Sequence, residues 1–208
     1  MSRTVFIVRH GNTFDKGDVV TRVGARTDLP LSTSGQTQAE QLAAHFMLTQ
    51  PDGFCAAWCS PLMRTRQTAE AILSICENAP SLETAEFLRE VDYGPDENQP
   101  EEDVIARIGQ DALDAWEAEA IAPPGWDVDP AGIVESWKAF FVSIGTLPAD
   151  DLRPALVVTS NGIARFALKA AQVSPDAEFA LKLKTAAYGI TQVDAQGAAV
   201  IRDWNIRA

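Results

Sequence analysis

The segment Thr4-Val5-Phe6-Ile7-Val8-Arg9-His10-Gly11-Asn12-Thr13 sets an apolar, β-branched run directly against an arginine, a histidine and a glycine. Thr4–Val8 reads as a buried strand. The polar group at its carboxyl end falls where open α/β sheets gather their ligands. Two later segments repeat the arrangement. Phe54–Cys59 reads as a buried strand running into Ser60-Pro61-Leu62-Met63-Arg64, and Pro154–Ser160 as another ending in Thr159-Ser160-Asn161-Gly162. Three such ends of one sheet can converge on one ligand.

Working outward, Gly35–Gln50 reads as an amphipathic helix with Ala39, Leu42, Ala43, Phe46 and Met47 on one stripe. His45 lies off that stripe and is expected at the surface. Ser60-Pro61 reads as a helix start, Ser as N-cap and Pro at the first helical position, with the helix running to about Cys76. Leu82–Leu88 reads as a short strand and Gly162–Gln172 as a helix. Tyr188–Asp194 and Ala198–Trp204 flank Ala195-Gln196-Gly197 as a terminal hairpin. Between them, Glu101–Ala122 and Ile133–Ile144 read as helices joined by a Pro- and Gly-containing loop. Strands alternating with helices predict an α/β three-layer sandwich, its largely parallel central sheet flanked by helices. No repeat or linker divides the chain, so 1–208 is expected to be one domain, with a helical insertion at about 101–145 capping the site.

The 208 residues carry 17 Lys and Arg against 29 Asp and Glu, a formal net charge of −12. That balance argues against nucleic acid, whose phosphates need clustered cations, and against anionic membranes. No apolar run is long enough to span a bilayer. The N-terminal apolar run, Val5–Val8, is shorter than a secretory h-region, so a cytoplasmic protein is expected. Cys55 and Cys59 would lie about 13 Å apart on a strand, too far for a disulfide. With Cys76 they read as reduced thiols, and with the 2 histidines they give no zinc spacing.

Arg64 falls in the first turn of its helix, where the macrodipole disfavours a cation. Backbone N–H groups and a guanidinium together make an anion site, with phosphate as the natural guest; the plainer reading is an exposed arginine. His10 ends a buried strand, and Gly11 lets a ligand approach the backbone. An imidazole held in one tautomer can act as a nucleophile, and Arg9 can neutralise a phosphoryl group; the plainer reading of His10 is structural. Trp116, Trp126 and Trp137 read as packing residues, with stacking on a substrate ring as the alternative.

Taken together, the clusters resemble the histidine phosphatase superfamily, which includes the cofactor-dependent phosphoglycerate mutases. Arg9-His10-Gly11-Asn12-Thr13 is similar to that family's Arg-His-Gly-x-Thr. Thr27-Asp28-Leu29-Pro30-Leu31-Ser32-Thr33-Ser34-Gly35 resembles its Asp-x-Pro-Leu-Thr-x-x-Gly segment. Ser60-Pro61-Leu62-Met63-Arg64-Thr65-Arg66-Gln67-Thr68-Ala69 resembles its second signature, and Leu88-Arg89-Glu90-Val91-Asp92-Tyr93-Gly94 the stretch carrying the proton donor. The resemblance covers nearly the whole chain. It implies that His10 attacks the phosphorus of a phosphomonoester, that Glu90 protonates the leaving oxygen, and that Arg9 and Arg64 hold the phosphate. It implies no metal and no cofactor. Gly11, Thr13, Lys16, Ser160 and Asn161 are expected to bind the substrate, a small phosphorylated molecule or inorganic phosphate.

One position departs from the family pattern, a strand followed by His-Gly with an arginine five residues after the histidine. Spacing back from Arg165 places Ser160 there; matching the x-Gly dipeptide places Asn161 there. The strand and the arginine both favour Ser160. Losing such a donor typically costs ~10²–10³ in rate. Lys16 could restore a charge, or it could point to solvent. The expected activity is therefore hydrolysis through a phosphohistidine on His10, either weakened by the missing donor or compensated elsewhere. Mutase transfer is less favoured, because the longer mutase-type insertion is missing. The competing reading is a non-catalytic module that binds a phospholigand or a partner on the same fold.

Overall fold

Period-two alternation along two strands builds the layers. In the computed structural model, which describes residues 2–174 and 177–208, Ser2–Arg9 forms β1. Val5 and Ile7 turn to one face and Phe6 and Val8 to the other, all four buried. Ala155–Thr159 forms β4 and repeats the pattern, Ala155 and Val157 on one face, Leu156 and Val158 on the other. Strands apolar on both faces belong at the centre of a covered parallel sheet, and these two pair in parallel from Val5↔Ala155 to Arg9↔Thr159.

Around them lie β2 (Ala56–Cys59), β3 (Leu82–Thr84), β5 (Gln172–Val173), β6 (Ala187–Asp194) and β7 (Ala199–Arg207), giving a 7-stranded sheet of order β3-β2-β4-β1-β6-β7-β5. Among the described strands only β6 runs against the rest. The β6–β7 hairpin is where the sequence predicts it; the two-residue β5 at the edge has no periodicity to reveal it.

Helices α1 (Thr33–Thr49) and α2 (Met63–Leu73) cover the face of Phe6 and Val8. On the other face lie α3 (Glu101–Ile108), α4 (Gln110–Glu119), α5 (Pro130–Gly145) and α6 (Asn161–Ala170). The expected three-layer α/β sandwich is therefore present. Several boundaries differ from expectation, each for a local reason. The 101–122 helix is broken at Gly109, whose φ of +83° lies in the left-handed region. Leu82–Leu88 stops being a strand at Thr84 and closes in a 3₁₀ turn at Glu86–Leu88. Met47, expected on the buried stripe of α1, is 52% exposed. Of the 101–145 block, α3 and α4 reach the cavity described below, whereas α5 packs on α6, β6 and β1.

Candidate active site

β1, β4 and β2 are neighbours in the sheet, so the polar groups at their carboxyl ends are neighbours too. The His10 amide donates to the Thr159 carbonyl at 3.1 Å, continuing the β1–β4 ladder one residue past the strand. Arg9, His10, Thr13, Glu90 and Asn161 line a cavity of about 520 Å³ at this end.

His10 is buried and clamped through both ring nitrogens. Nδ1 lies 2.7 Å from the Gly11 carbonyl oxygen. Nε2 accepts from Arg64 Nε at 3.3 Å. A carbonyl can only accept and a guanidinium can only donate. The ring must therefore be neutral, with its proton on Nδ1 and its lone pair on Nε2. Burial, then the charges of Arg64 and Arg9, hold the imidazole well below its ordinary value of 6.5.

Arg64 is fully buried, with all three guanidinium nitrogens engaged. Besides Nε on His10, Nη1 donates to the Thr27 carbonyl at 2.9 Å and Nη2 to that of Gly24 at 3.2 Å. It thus meets the cavity through His10. Burial lowers the pKa of Arg9 and of Arg64 from the ordinary arginine value, yet a guanidinium keeps its proton. Arg9 Nη1 donates to the Leu183 carbonyl at 2.8 Å, and its buried Nε has no partner among the described residues.

The second cluster is built differently from expectation. α2 begins at Met63, with Leu62 at its N-cap, and Ser60 is not the cap. Ser60 Oγ instead pairs with Thr65 Oγ1 at 2.9 Å and accepts from Leu62 N–H. The Asp28 carboxylate accepts from the Met63 amide at 2.7 Å. The helix N-terminus thus has an anion of the chain's own, which is the physical reason for the aspartate in the Asp28-Leu29-Pro30 segment.

Glu90 is 6% exposed. Its Oε1 accepts from the Val91 amide at 2.9 Å and Oε2 from the Gly162 amide at 3.1 Å, at the start of α6. Thr159 Oγ1 donates to the Leu88 carbonyl at 2.7 Å and ties this segment to the end of β4. A Cβ on residue 162 would lie 2.1 Å from Glu90 Oε1. The glycine after Asn161 is thus required by the carboxylate.

Three expected binding residues are placed otherwise. Lys16 is exposed and lies off the cavity wall. Its loop is held away by Asp15, which accepts from the Thr33 and Ser34 amides of α1. Gly11 does not open the backbone to a ligand, since a Cβ there would meet the Gly35 carbonyl oxygen at 2.5 Å; it lets α1 dock on the His10 loop. Asn161, not Ser160, faces the cavity. Asn161 Oδ1 accepts from the Leu183 amide at 2.8 Å, and its NH2 group has no partner among the described residues, while Ser160 is fully buried and its Oγ is likewise unpartnered among them. The helix starts at Asn161, one residue sooner than the expected Gly162. His45 is half-buried rather than at the surface, its Nε2 2.8 Å from the Tyr188 hydroxyl, away from the cavity.

Tyr93, from the Leu88–Gly94 segment, also lines the wall, and Arg22, Glu101, Glu117 and Lys182 line it with no sequence signal of a site role. Trp116 also lines it, while its ring packs on Trp126 at 5.3 Å and under the Arg165 guanidinium at 4.2 Å. Trp126 and Trp137 are buried packing residues, as expected.

A strand-end histidine clamped in one tautomer, beside two arginines on a mostly parallel three-layer fold, defines a phosphoryl-handling class. Comparison with known families agrees: residues 5–207 match the model of the histidine phosphatase superfamily (branch 1), and the chain belongs to that family. It is 31% identical over 199 residues to the probable phosphoglycerate mutase GpmB of Proteus mirabilis (strain HI4320), covering 93% of this chain and 86% of that protein. The fold is similar to mycobacterial glucosyl-3-phosphoglycerate phosphatase, with TM-score 0.77, 17% identity and coverage of 99% of each chain. That phosphatase has also been solved with inorganic phosphate and with VO3. It is similar too to phosphoglycerate mutase from Bacillus anthracis str. Sterne, with TM-score 0.78 and 20% identity, covering 98% of this chain and 93% of that one. Among the described residues no helix is long and apolar enough to cross a membrane.

Proposed function

We propose that this protein hydrolyses phosphomonoesters through a phosphohistidine on His10. The observation that carries the reading is the double clamp on the imidazole, which leaves the Nε2 lone pair as the ring's reactive site. Nε2 attacks phosphorus and the ester P–O bond breaks. The departing oxygen takes a proton from the Glu90 carboxyl. Water then attacks the phosphoryl group, gives a proton to the Glu90 carboxylate and releases phosphate, and the P–N electron pair returns to Nε2. Arg9 Nε and the Asn161 NH2 group, both without a partner among the described residues, supply hydrogen bonds to the phosphoryl oxygens.

In this reading Asn161 takes the place that the family gives to a second histidine, as a neutral donor. Arg64 must release His10 before Nε2 can attack, and its Nε then meets the phosphoryl group. The α3–α4 part of the middle block forms the outer wall above the reacting atoms. Hydrolysis is preferred to mutase transfer.

Phosphate release from a generic ester such as p-nitrophenyl phosphate tests the reading, with His10→Ala as control. Turnover abolished by His10→Ala supports hydrolysis. Absence of turnover together with measurable vanadate binding would instead support a phospholigand-binding module, the reading that the neutral Asn161 favours.

A further inference from the structure

The cavity has an inner and an outer half of different chemistry. At the inner end, Arg9 Nε and the Asn161 NH2 group have no hydrogen-bond partner among the described residues. In the outer half, Arg22 Nη2 and Lys182 Nζ each already face a carboxylate, while Arg22 Nε is enclosed and has no partner among the described residues. Arg22 Nη2 donates to both oxygens of Glu101 at 2.8 and 2.6 Å. Its guanidinium is also held over the rings of Tyr93 and Trp126, at 5.2 and 5.1 Å. Lys182 Nζ lies 3.3 Å from Glu117 Oε2, while Glu117 Oε1 lies 3.6 Å from Arg165 Nη2. Thr21, Thr185, Tyr93 and Trp116 also line the cavity.

From this division we infer that the substrate's leaving group is neutral and hydroxylated, a sugar or polyol, rather than a carboxylate-bearing acid. The inference rests on the phosphatase reading above and adds the substrate class. A second anionic group in the outer half would have to draw Lys182 or Arg22 away from its carboxylate. It would leave that carboxylate beside another negative charge, which disfavours binding. Hydroxyl groups disturb neither pair: they donate to Glu117 or Glu101 and accept from Lys182 or Arg22. Aromatic rings beside them suit the apolar faces of a sugar. A volume of about 520 Å³ also exceeds what a three-carbon ester needs.

Steady-state kinetics with a hexose 6-phosphate and with 3-phosphoglycerate test this in the full-length wild type, Glu117→Gln and Lys182→Gln. The wild type should favour the hexose phosphate by about tenfold or more in kcat/KM. Glu117→Gln frees Lys182 and Arg165, so it should move the ratio of the two kcat/KM values toward 3-phosphoglycerate, chiefly through KM. Lys182→Gln should move the ratio the other way. A ratio is insensitive to a general loss of active protein. A wild-type preference for 3-phosphoglycerate, or a ratio unmoved by both variants, would overturn the inference and leave the phosphatase reading standing. Turnover of neither ester, nor of p-nitrophenyl phosphate, would overturn both.

Discussion

The His10 ring is neutral because of its neighbours, and that has a kinetic consequence. Burial and the nearby Arg64 and Arg9 charges disfavour the imidazolium, so the folded-state pKa lies well below 6.5. Nucleophilic attack needs the unprotonated ring. The acid limb of kcat/KM attributable to His10 should therefore fall well below pH 6.5, with no loss between pH 8 and 6.5. Arg64→Gln removes one of the charges that lower the pKa, so it should move this limb to higher pH. A pH–rate profile of both proteins checks the position and the direction. At Glu90 the controlling neighbour is a glycine. Gly162→Ala would place a methyl 2.1 Å from Oε1 and push the carboxylate aside. Displacements of about 1 Å can cost ~10² in rate. We expect a loss of that order in kcat, with the circular dichroism spectrum unchanged.

Short elements hold these residues, and they were unevenly legible in the sequence. The Arg9-His10-Gly11 and Ser60–Ala69 clusters could be read because each follows an apolar strand within a few positions. Arg22, Glu117 and Lys182 could not, because only the sheet order and the path of the middle block bring them to one wall. Ser60 reads as a cap because Ser-Pro is a good local helix start, whereas the true partner, Asp28, comes from 35 residues away. Glu97 shows the same non-local logic. Its Oε1 accepts from the Gly24 and Arg26 amides and the Thr27 hydroxyl, at 3.1, 2.8 and 2.9 Å. It thereby fixes the loop whose Gly24 and Thr27 carbonyls hold Arg64. Glu97→Ala should lower kcat more than it raises KM, by about 10²-fold if Arg64 drifts by an ångström. Glu97→Gln, which keeps one acceptor oxygen, should restore part of the loss. Equal kinetics in all three proteins would mean that the loop holds Arg64 without Glu97.

At the scale of the molecule, the net charge of −12 and the candidate phosphate site are compatible because the cations are local, Arg64 fully buried and Arg9 half-buried. A distant acidic surface is screened by salt, whereas Arg9 and Arg64 act at contact distance. The sheet that brings them together is covered by an aromatic layer. Trp137 is fully buried, donates through Nε1 to the Ile163 carbonyl at 3.0 Å, and packs on Phe87, Phe140 and Phe141. Its contact with Ile163 steadies the first turn of α6, which carries Asn161 and Gly162. Trp137→Ala should cost about 3–5 kcal/mol in denaturant unfolding. The α/β class could be read from the strands because short, continuous apolar runs such as Val5–Val8 and Ala155–Val158 need a sheet covered on both faces. The break at Gly109 and the edge strand β5 could not, since both depend on what packs against them.

Rapid quench of the protein with a ³²P-labelled phosphomonoester, followed by peptide mapping, tests the central claim most directly. The account predicts an acid-labile phosphoryl group on His10, formed no more slowly than phosphate is released and missing in His10→Ala. Phosphate release at full rate by His10→Ala, or a label on any other residue, would contradict it.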